Sequence, residues 1–349
     1  MDERRKMISR TRRRFLTDSL LLTGSMLVPS RRLRGLSGDL SKGEEPAVSY
    51  PSYLSLHEKG ILSERVKELQ SMYESCTLCP RDCRVNRKKK QKGKCQATSN
   101  LKVSNAFPHF GEEPPLVGQK GSGTVFFSNC GVRCVFCQNY EISIEGEGIE
   151  IPDERLAESM IKLQKMGCHN INLVTPTHYV PNIVNALEMA VGMGLKIPLV
   201  YNTSGYEKLE TLKLLDGIID IYLPDFKYMD PEKAAKYSDQ AYSYPHYARI
   251  ALKEIHRQVG ELVTTGKGVA LKGLIIRHLI LPNRIAGTRE FLKFVSEELS
   301  KNTCINLMRQ YRPEYRAKEF PDIARRINRK EYEETLGWAG EFGLTNLAR

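Results

Sequence analysis

Gly121 to Tyr140 reads GSGTVFFSNCGVRCVFCQNY. The run Thr124-Val125-Phe126-Phe127 is β-branched and aromatic, the composition of a buried strand. Directly after it come Cys130, Cys134 and Cys137, spaced C-x3-C-x2-C. Three thiolates at the C-terminal end of a strand can hold three irons of a four-iron cluster. A complete cubane takes four cysteines. A missing fourth protein ligand leaves one iron open, and an open coordination position is where metal sites do chemistry.

Downstream of this stretch, short apolar runs alternate with segments of helical periodicity. Strands are expected at residues 170–175, 196–202, 217–223, 271–281 and 304–308, and helices at 153–166, 181–193, 206–215, 231–242, 246–263, 288–299 and 321–343. Strands that are apolar throughout, alternating with helices, make a parallel sheet with both faces covered. Right-handed crossovers can curve such a sheet toward a barrel. The fold class expected is therefore α/β, a partial (β/α)6 barrel of parallel strands with a small N-terminal cysteine-rich module.

Ligands gather at the C-terminal strand ends of such folds, and the polar residues of this chain lie there. They are Ser128 and Asn129, Thr175-Pro176-Thr177-His178, Asn202-Thr203-Ser204-Gly205, Asp225 and Lys227, Arg277 and His278, then Gln310 and Tyr311. A single His in an apolar strand is usually a satisfied core residue, and a single Asp-x-Lys is usually a surface pair. Polar groups converging from six strand ends read as a site.

Seven of the nine cysteines fall between residues 76 and 137. Cys76, Cys79, Cys83 and Cys95, spaced C-x2-C-x3-C-x11-C, can close a four-thiolate site, either a structural zinc or a second iron–sulfur cluster. Between the last two runs Arg87-Lys88-Lys89-Lys90-Gln91-Lys92-Gly93-Lys94. The chain carries a formal net charge of +12, much of it in residues 1–34, where ten Lys/Arg face three Asp/Glu. Neither basic run interleaves aromatic side chains, so both read as solvated and no nucleic-acid partner is expected. No apolar run is long enough to span a membrane. The expected organisation is a basic leader over 1–34, a linker over 35–60, a helix and four-cysteine module over 61–120, a core over 121–312 and C-terminal helices over 313–349. The leader, with Arg12-Arg13-Arg14-Phe15-Leu16 before a moderately apolar stretch, resembles a twin-arginine export signal.

Several blocks together resemble one family. The C-x3-C-x2-C loop with Phe136 before its last cysteine, following a first strand and preceding βα units, is similar to the signature of the radical S-adenosylmethionine (SAM) enzymes. The blocks CTLCPRDC, GSGTVFFSNC, CVFCQNYEIS, NLVTPTH, YNTSGYE, DIYLPDFKY, RHLILP and LMRQY resemble its pyruvate formate-lyase activating enzyme-like branch over about residues 76–343. The resemblance implies a [4Fe-4S] cluster on Cys130, Cys134 and Cys137 and SAM on the open iron. It also implies one-electron cleavage to methionine and a 5′-deoxyadenosyl radical that abstracts hydrogen from a substrate, with a protein among the candidate partners. An electron donor such as flavodoxin or ferredoxin is implied too.

By position, Asp225 and Lys227 resemble the family's Asp-x-Lys, whose charges meet the cofactor's ribose and carboxylate. Asn202, Ser204 and His278 fall where other cofactor contacts occur. Where many members carry Gly-Gly-Glu, this chain has Thr175-Pro176-Thr177-His178. No carboxylate is expected there, so the hydroxyls of Thr175 and Thr177 or a backbone carbonyl must receive the methionine amine. Reductant and SAM are cytoplasmic supplies, which favours the cytoplasm, whereas the leader points to export. The rival readings are a non-catalytic iron–sulfur carrier or sensor, and a zinc module at 76–95 docking a partner.

Overall fold

The strand that precedes the cysteine loop begins the parallel part of the sheet. The protein is described by a computed structural model covering residues 51–348; the leader and the first part of the linker lie outside the described residues. Strand β2 (Ser122–Phe127) pairs antiparallel with β1 (Lys102–His109) and parallel with β4 (Ile171–Val174). Beyond β4 the parallel sheet continues through β5 (Leu199–Thr203), β6 (Ile221–Pro224), β8 (Ala270–Leu279) and β9 (Cys304–Met308). These six parallel strands are the six expected, and they form the mostly parallel sheet of a partial barrel. Helices Asp153–Lys165, Val180–Gly192, Tyr244–Val259 and Thr288–Glu298 cover it. Strands β5 and β6 are buried along their whole length, which is why Leu199-Val200-Tyr201 and Ile221-Tyr222-Leu223 are apolar without alternation.

Three strands were not expected. β1, β3 (Ile149–Glu150) and β7 (Val263–Thr264) pair antiparallel at the margins. β1 hides from pattern reading because KVSNAFPH mixes polar residues and a proline into a sequence that is only half buried. The linker expectation is corrected over its last residues. Ser52–Glu58 is a helix with Tyr53 fully buried, followed by a second helix, Ile61–Ser71. The C-terminal expectation is corrected too. Among the described residues of that region only Arg329–Glu341 is α-helical, and Leu347 bridges to Ile305 on the outer edge of β9.

Asp220, at the N-terminal end of β6, locks the first helix onto the barrel. Its Oδ1 accepts from the Ser52 N–H (3.0 Å) and the Ser52 hydroxyl (2.8 Å), and its Oδ2 accepts from the Leu199 N–H (3.0 Å). Tyr53 then donates to the Ile197 carbonyl at 2.8 Å. Replacing Asp220→Ala leaves buried donors without an acceptor, and should lower stability by about 3 kcal/mol. A reduced urea midpoint with unchanged slope checks this; a midpoint equal to wild type would deny the helix this anchor.

Candidate active site

The loop after β2 is held from several sides. Ser128 donates its N–H to Lys102 and its hydroxyl to Glu147, and the Asn129 N–H reaches Ile142. Val135 donates to the Tyr237 carbonyl (2.9 Å) and accepts from the Arg316 N–H (2.9 Å). Phe136 packs edge-on against Tyr228 and Tyr311. Each sulfur of the loop meets a hydrogen-bonding partner. The Val132 N–H donates to Cys130 Sγ (3.4 Å), the Ser238 hydroxyl to Cys134 Sγ (3.2 Å), and the Ser143 hydroxyl lies 2.9 Å from Cys137 Sγ. Burial pushes the Cys134 thiol up to about 12, with Lys227 and Ser238 pulling the other way. Thiolate ligation here must therefore displace a tightly held proton.

Across the mouth, four strand-end residues form one charged network. Asp225 Oδ2 pairs with Lys227 Nζ at 2.7 Å, and Asp225 Oδ1 with Arg277 Nε at 2.9 Å. Arg277 also donates to Asn202 Oδ1 (2.6 Å) and lies 3.7 Å from Glu112. Burial raises the Asp225 carboxyl, but Arg277 and Lys227 more than offset it and hold it below the usual carboxylate range. Lys227 also feels Cys134 electrostatically. The Tyr244 hydroxyl fixes this rim: it lies 2.8 and 3.0 Å from the Ser204 and Asp225 carbonyls and accepts from the Lys227 N–H. Gly205, at φ +76, is the one residue that fits here, because any Cβ would run into the Asp225 carbonyl. Asn202, Ser204, Asp225 and Lys227 thus lie together at one rim.

His278 is not part of this site. Its Nδ1 lies 2.7 Å from the Phe226 carbonyl and its Nε2 2.9 Å from the Thr288 hydroxyl, and its ring stacks on Phe291 at 4.3 Å. Both nitrogens are used by the fold, and burial lowers its pKa to about 4. Successive strand residues face opposite sides, so on β8 it is Arg277 that faces the mouth while His278 faces the helices. The expectation for His278 is corrected on that ground.

The strand-two corner is corrected as well, since a carboxylate is present. Glu207 comes from the loop after β5. Its carboxylate accepts from the Thr177 hydroxyl (2.6 Å), the Thr203 hydroxyl and, at 3.4 Å, the Tyr201 hydroxyl. It lies at the end of YNTSGYE, where its distance in sequence from Thr177 concealed it. Thr175 stands one step away at φ 58. His178 donates Nε2–H to the Ser128 carbonyl (2.7 Å), and burial, then Arg87, hold it neutral with a pKa of about 3.

The upstream cysteines lie against the same face. Arg81 donates to the Gly131 carbonyl (2.8 Å) inside the cysteine loop and to the Ser238 carbonyl (3.1 Å). Cys95 interacts electrostatically with Cys130, and Cys79 with Glu207. Cys76 donates to Cys83, which draws the Cys83 thiol down to about 6 and holds Cys76 up. Among the described residues, no three His, Cys, Asp or Glu side chains gather closely enough to hold one metal ion. The closed single-ion arrangement expected of the upstream four is therefore not what their placement gives.

The Radical SAM superfamily profile matches residues 124–273. A protein of Methanocaldococcus jannaschii, described as uncharacterized protein MJ0674, is 33% identical over 293 residues, covering 81% of this chain and 80% of that protein. The chain belongs to the radical SAM superfamily. Its members are enzymes that bind a [4Fe-4S] cluster and SAM, and the donor set here fits the first of these. Three buried or half-buried thiols, each beside an N–H or hydroxyl, suit a cluster, whose corner irons spread their ligands more widely than one ion does. No helix among the described residues is long and apolar enough to cross a membrane.

Burial raises the Glu207 carboxyl to about 7, against the pull of the three hydroxyls. A folded pKa above the unfolded value means that this group's contribution is complete below about pH 4.5 and declines as pH rises to about 7, by about 3 kcal/mol at most. Glu207→Gln should remove that decline. Thermal midpoints of the two proteins from pH 5 to 8 check it; parallel profiles would place the Glu207 pKa near that of a solvated carboxylate.

Proposed function

We propose that this chain is an activating-enzyme-like radical SAM enzyme that generates a 5′-deoxyadenosyl radical and uses it to take a hydrogen atom from a partner protein. The observation that carries the reading is the paired network of Asp225, Lys227, Arg277 and Asn202 beside Cys134. An electron carrier has no use for a charged pocket at its cluster. A cluster with an open iron, together with SAM, supplies the one-electron cleavage that yields methionine and the radical.

The chain's own residues bind and orient. Cys130, Cys134 and Cys137 would hold three irons, with Val132 N–H, Ser238 and Ser143 hydrogen-bonding their sulfurs. Lys227 would receive the methionine carboxylate and Asp225 the ribose, with Asn202 and Ser204 alongside. Thr175 and Thr177 would meet the methionine amine. Glu207 stands behind Thr177 and accepts its hydroxyl hydrogen bond, which turns the Thr177 oxygen lone pairs outward. The fixed rim needs little reorganisation as charge shifts. Cys76, Cys79, Cys83 and Cys95 would hold a second metal group, an iron–sulfur cluster, whose irons spread their ligands more widely than one ion does. A small low-potential flavin or iron–sulfur protein such as flavodoxin or ferredoxin would supply the electron. The chemistry belongs where reductant and SAM are made, in the cytoplasm; the basic leader is the feature that favours export. The likeness to the activating-enzyme branch supports the protein partner.

Anaerobically reconstituted protein given dithionite should convert SAM to 5′-deoxyadenosine and methionine. Cys134→Ala should abolish this. Asp225→Asn should keep its iron and weaken SAM binding roughly tenfold, from the lost charge-assisted bonds. A fully loaded cluster whose EPR spectrum does not respond to SAM, with no cleavage, would favour the carrier reading instead.

A further inference from the structure

Arg87 opens the basic run, and the lysines that follow it are exposed. Arg87 itself is fully buried. Its guanidinium lies over the Tyr73 ring at 4.5 Å and the Tyr179 ring at 5.7 Å. It donates to the carbonyls of His178 (2.5 Å) and Thr98 (2.6 Å), and its Nε has no partner. Among the described residues no carboxylate is paired with it. Arg cannot shed its proton in a protein, and a buried charge is retained only where an opposite charge compensates it. Rings and carbonyls attract the cation but contribute no net charge. Of the ionisable groups around it, the Tyr73 and Tyr179 phenols keep their protons at neutral pH, whereas thiols can give theirs up to a metal: Cys76 Sγ lies 4.0 Å from Nη1, and Cys95 interacts with it electrostatically.

A second feature is the fold of the loop that carries the four cysteines. The Cys76 N–H donates to the Val85 carbonyl (3.0 Å) and the Arg84 N–H to the Cys76 carbonyl (3.1 Å), and Gly93 lets the far side of the loop close in, since a Cβ there would collide with Cys83 Sγ.

We propose that Cys76, Cys79, Cys83 and Cys95 bind a tetrathiolate iron–sulfur centre of net negative charge, and that Arg87 is its buried counter-cation. This builds on the second metal group proposed above and gives it a charge and a partner. Arg87 is a positioning residue, and through it the centre braces the site. The His178 carbonyl accepts from Arg87, and the His178 ring donates to the Ser128 carbonyl. Ser128 leads through Asn129 into Cys130. The upstream centre therefore fixes the strand-two corner and the start of the cluster loop together.

The test uses the full chain with Cys130, Cys134 and Cys137 changed to Ser, so that retained metal belongs to the upstream four. Iron with sulfide should be found bound, and zinc in its place would overturn the proposal. Arg87→Met in that background should lose metal to a chelator roughly tenfold more readily, and Arg87→Lys should restore most of the retention. With Arg87 intact, stripping the metal should lower the thermal midpoint by several degrees, a measurement that does not depend on the Arg87→Met chain folding. Absence of metal, equal retention in the Arg87→Met chain, or a midpoint indifferent to stripping would overturn the proposal. None of these touches the three-cysteine reading, which stands or falls on SAM cleavage by the unmodified chain.

Discussion

Asp225 holds two cations, and the mouth of the barrel is arranged around that pairing. The carboxylate at the end of β6 receives Arg277 from β8 and Lys227 from its own loop, and Arg277 reaches on to Asn202 on β5. Such charges stay ionised out of water only when each has a partner in good geometry. Three strand ends are therefore fixed relative to one another by the requirement that no buried charge stand alone. Gly205 and the Tyr244 hydroxyl let the β5 loop approach closely enough for this. A rim already set in this way can meet a charged ligand without rearranging.

The same constraint governs the thiols. Burial raises Cys134, Cys137, Cys79 and Cys95, so as thiols they hold their protons. Yet hydroxyls meet the sulfurs of Cys134 and Cys137, which favours the thiolate. A metal would resolve this conflict by replacing the proton, and folding around the sulfurs would then be coupled to metal loading. Arg81 links the two sets through the Gly131 and Ser238 carbonyls, and Ser238 in turn donates to Cys134. The upstream module is therefore part of the wall of the site.

The six parallel strands were legible in the sequence because each is largely buried and so carries a short apolar run. The cysteine loop was legible because its C-x3-C-x2-C spacing follows directly on a strand, inside the stretch that the family profile matches. What escaped reading was pairing at a distance. Arg277 and His278 are adjacent in sequence, and only the pleat decides which one faces the mouth. Glu207 lies thirty residues from the threonine it accepts from, in a block recognised for its other residues. Arg87 looked like the first of a run of solvated cations, and for the lysines after it that reading holds. Composition cannot separate a buried guanidinium from its exposed neighbours; only its partners can.

The strand-two corner shows how such distant partners permit an unfavourable local choice. A β-branched residue is poorly suited to the left-handed region, where glycine is at ease, yet Thr175 sits there at φ 58. Residues before proline prefer extended backbone, so Pro176 disfavours it further. The conformation persists because its surroundings over-determine it. The Thr175 N–H donates to the Asn202 carbonyl at 2.9 Å, and Thr177, two residues on, is anchored to Glu207. Asn202 and Glu207 flank the same β5 loop that Gly205 and Tyr244 hold against Asp225. The strain at Thr175 and the charge pairing at Asp225 are thus supported by one loop, and a change to that loop acts on both sides of the site at once.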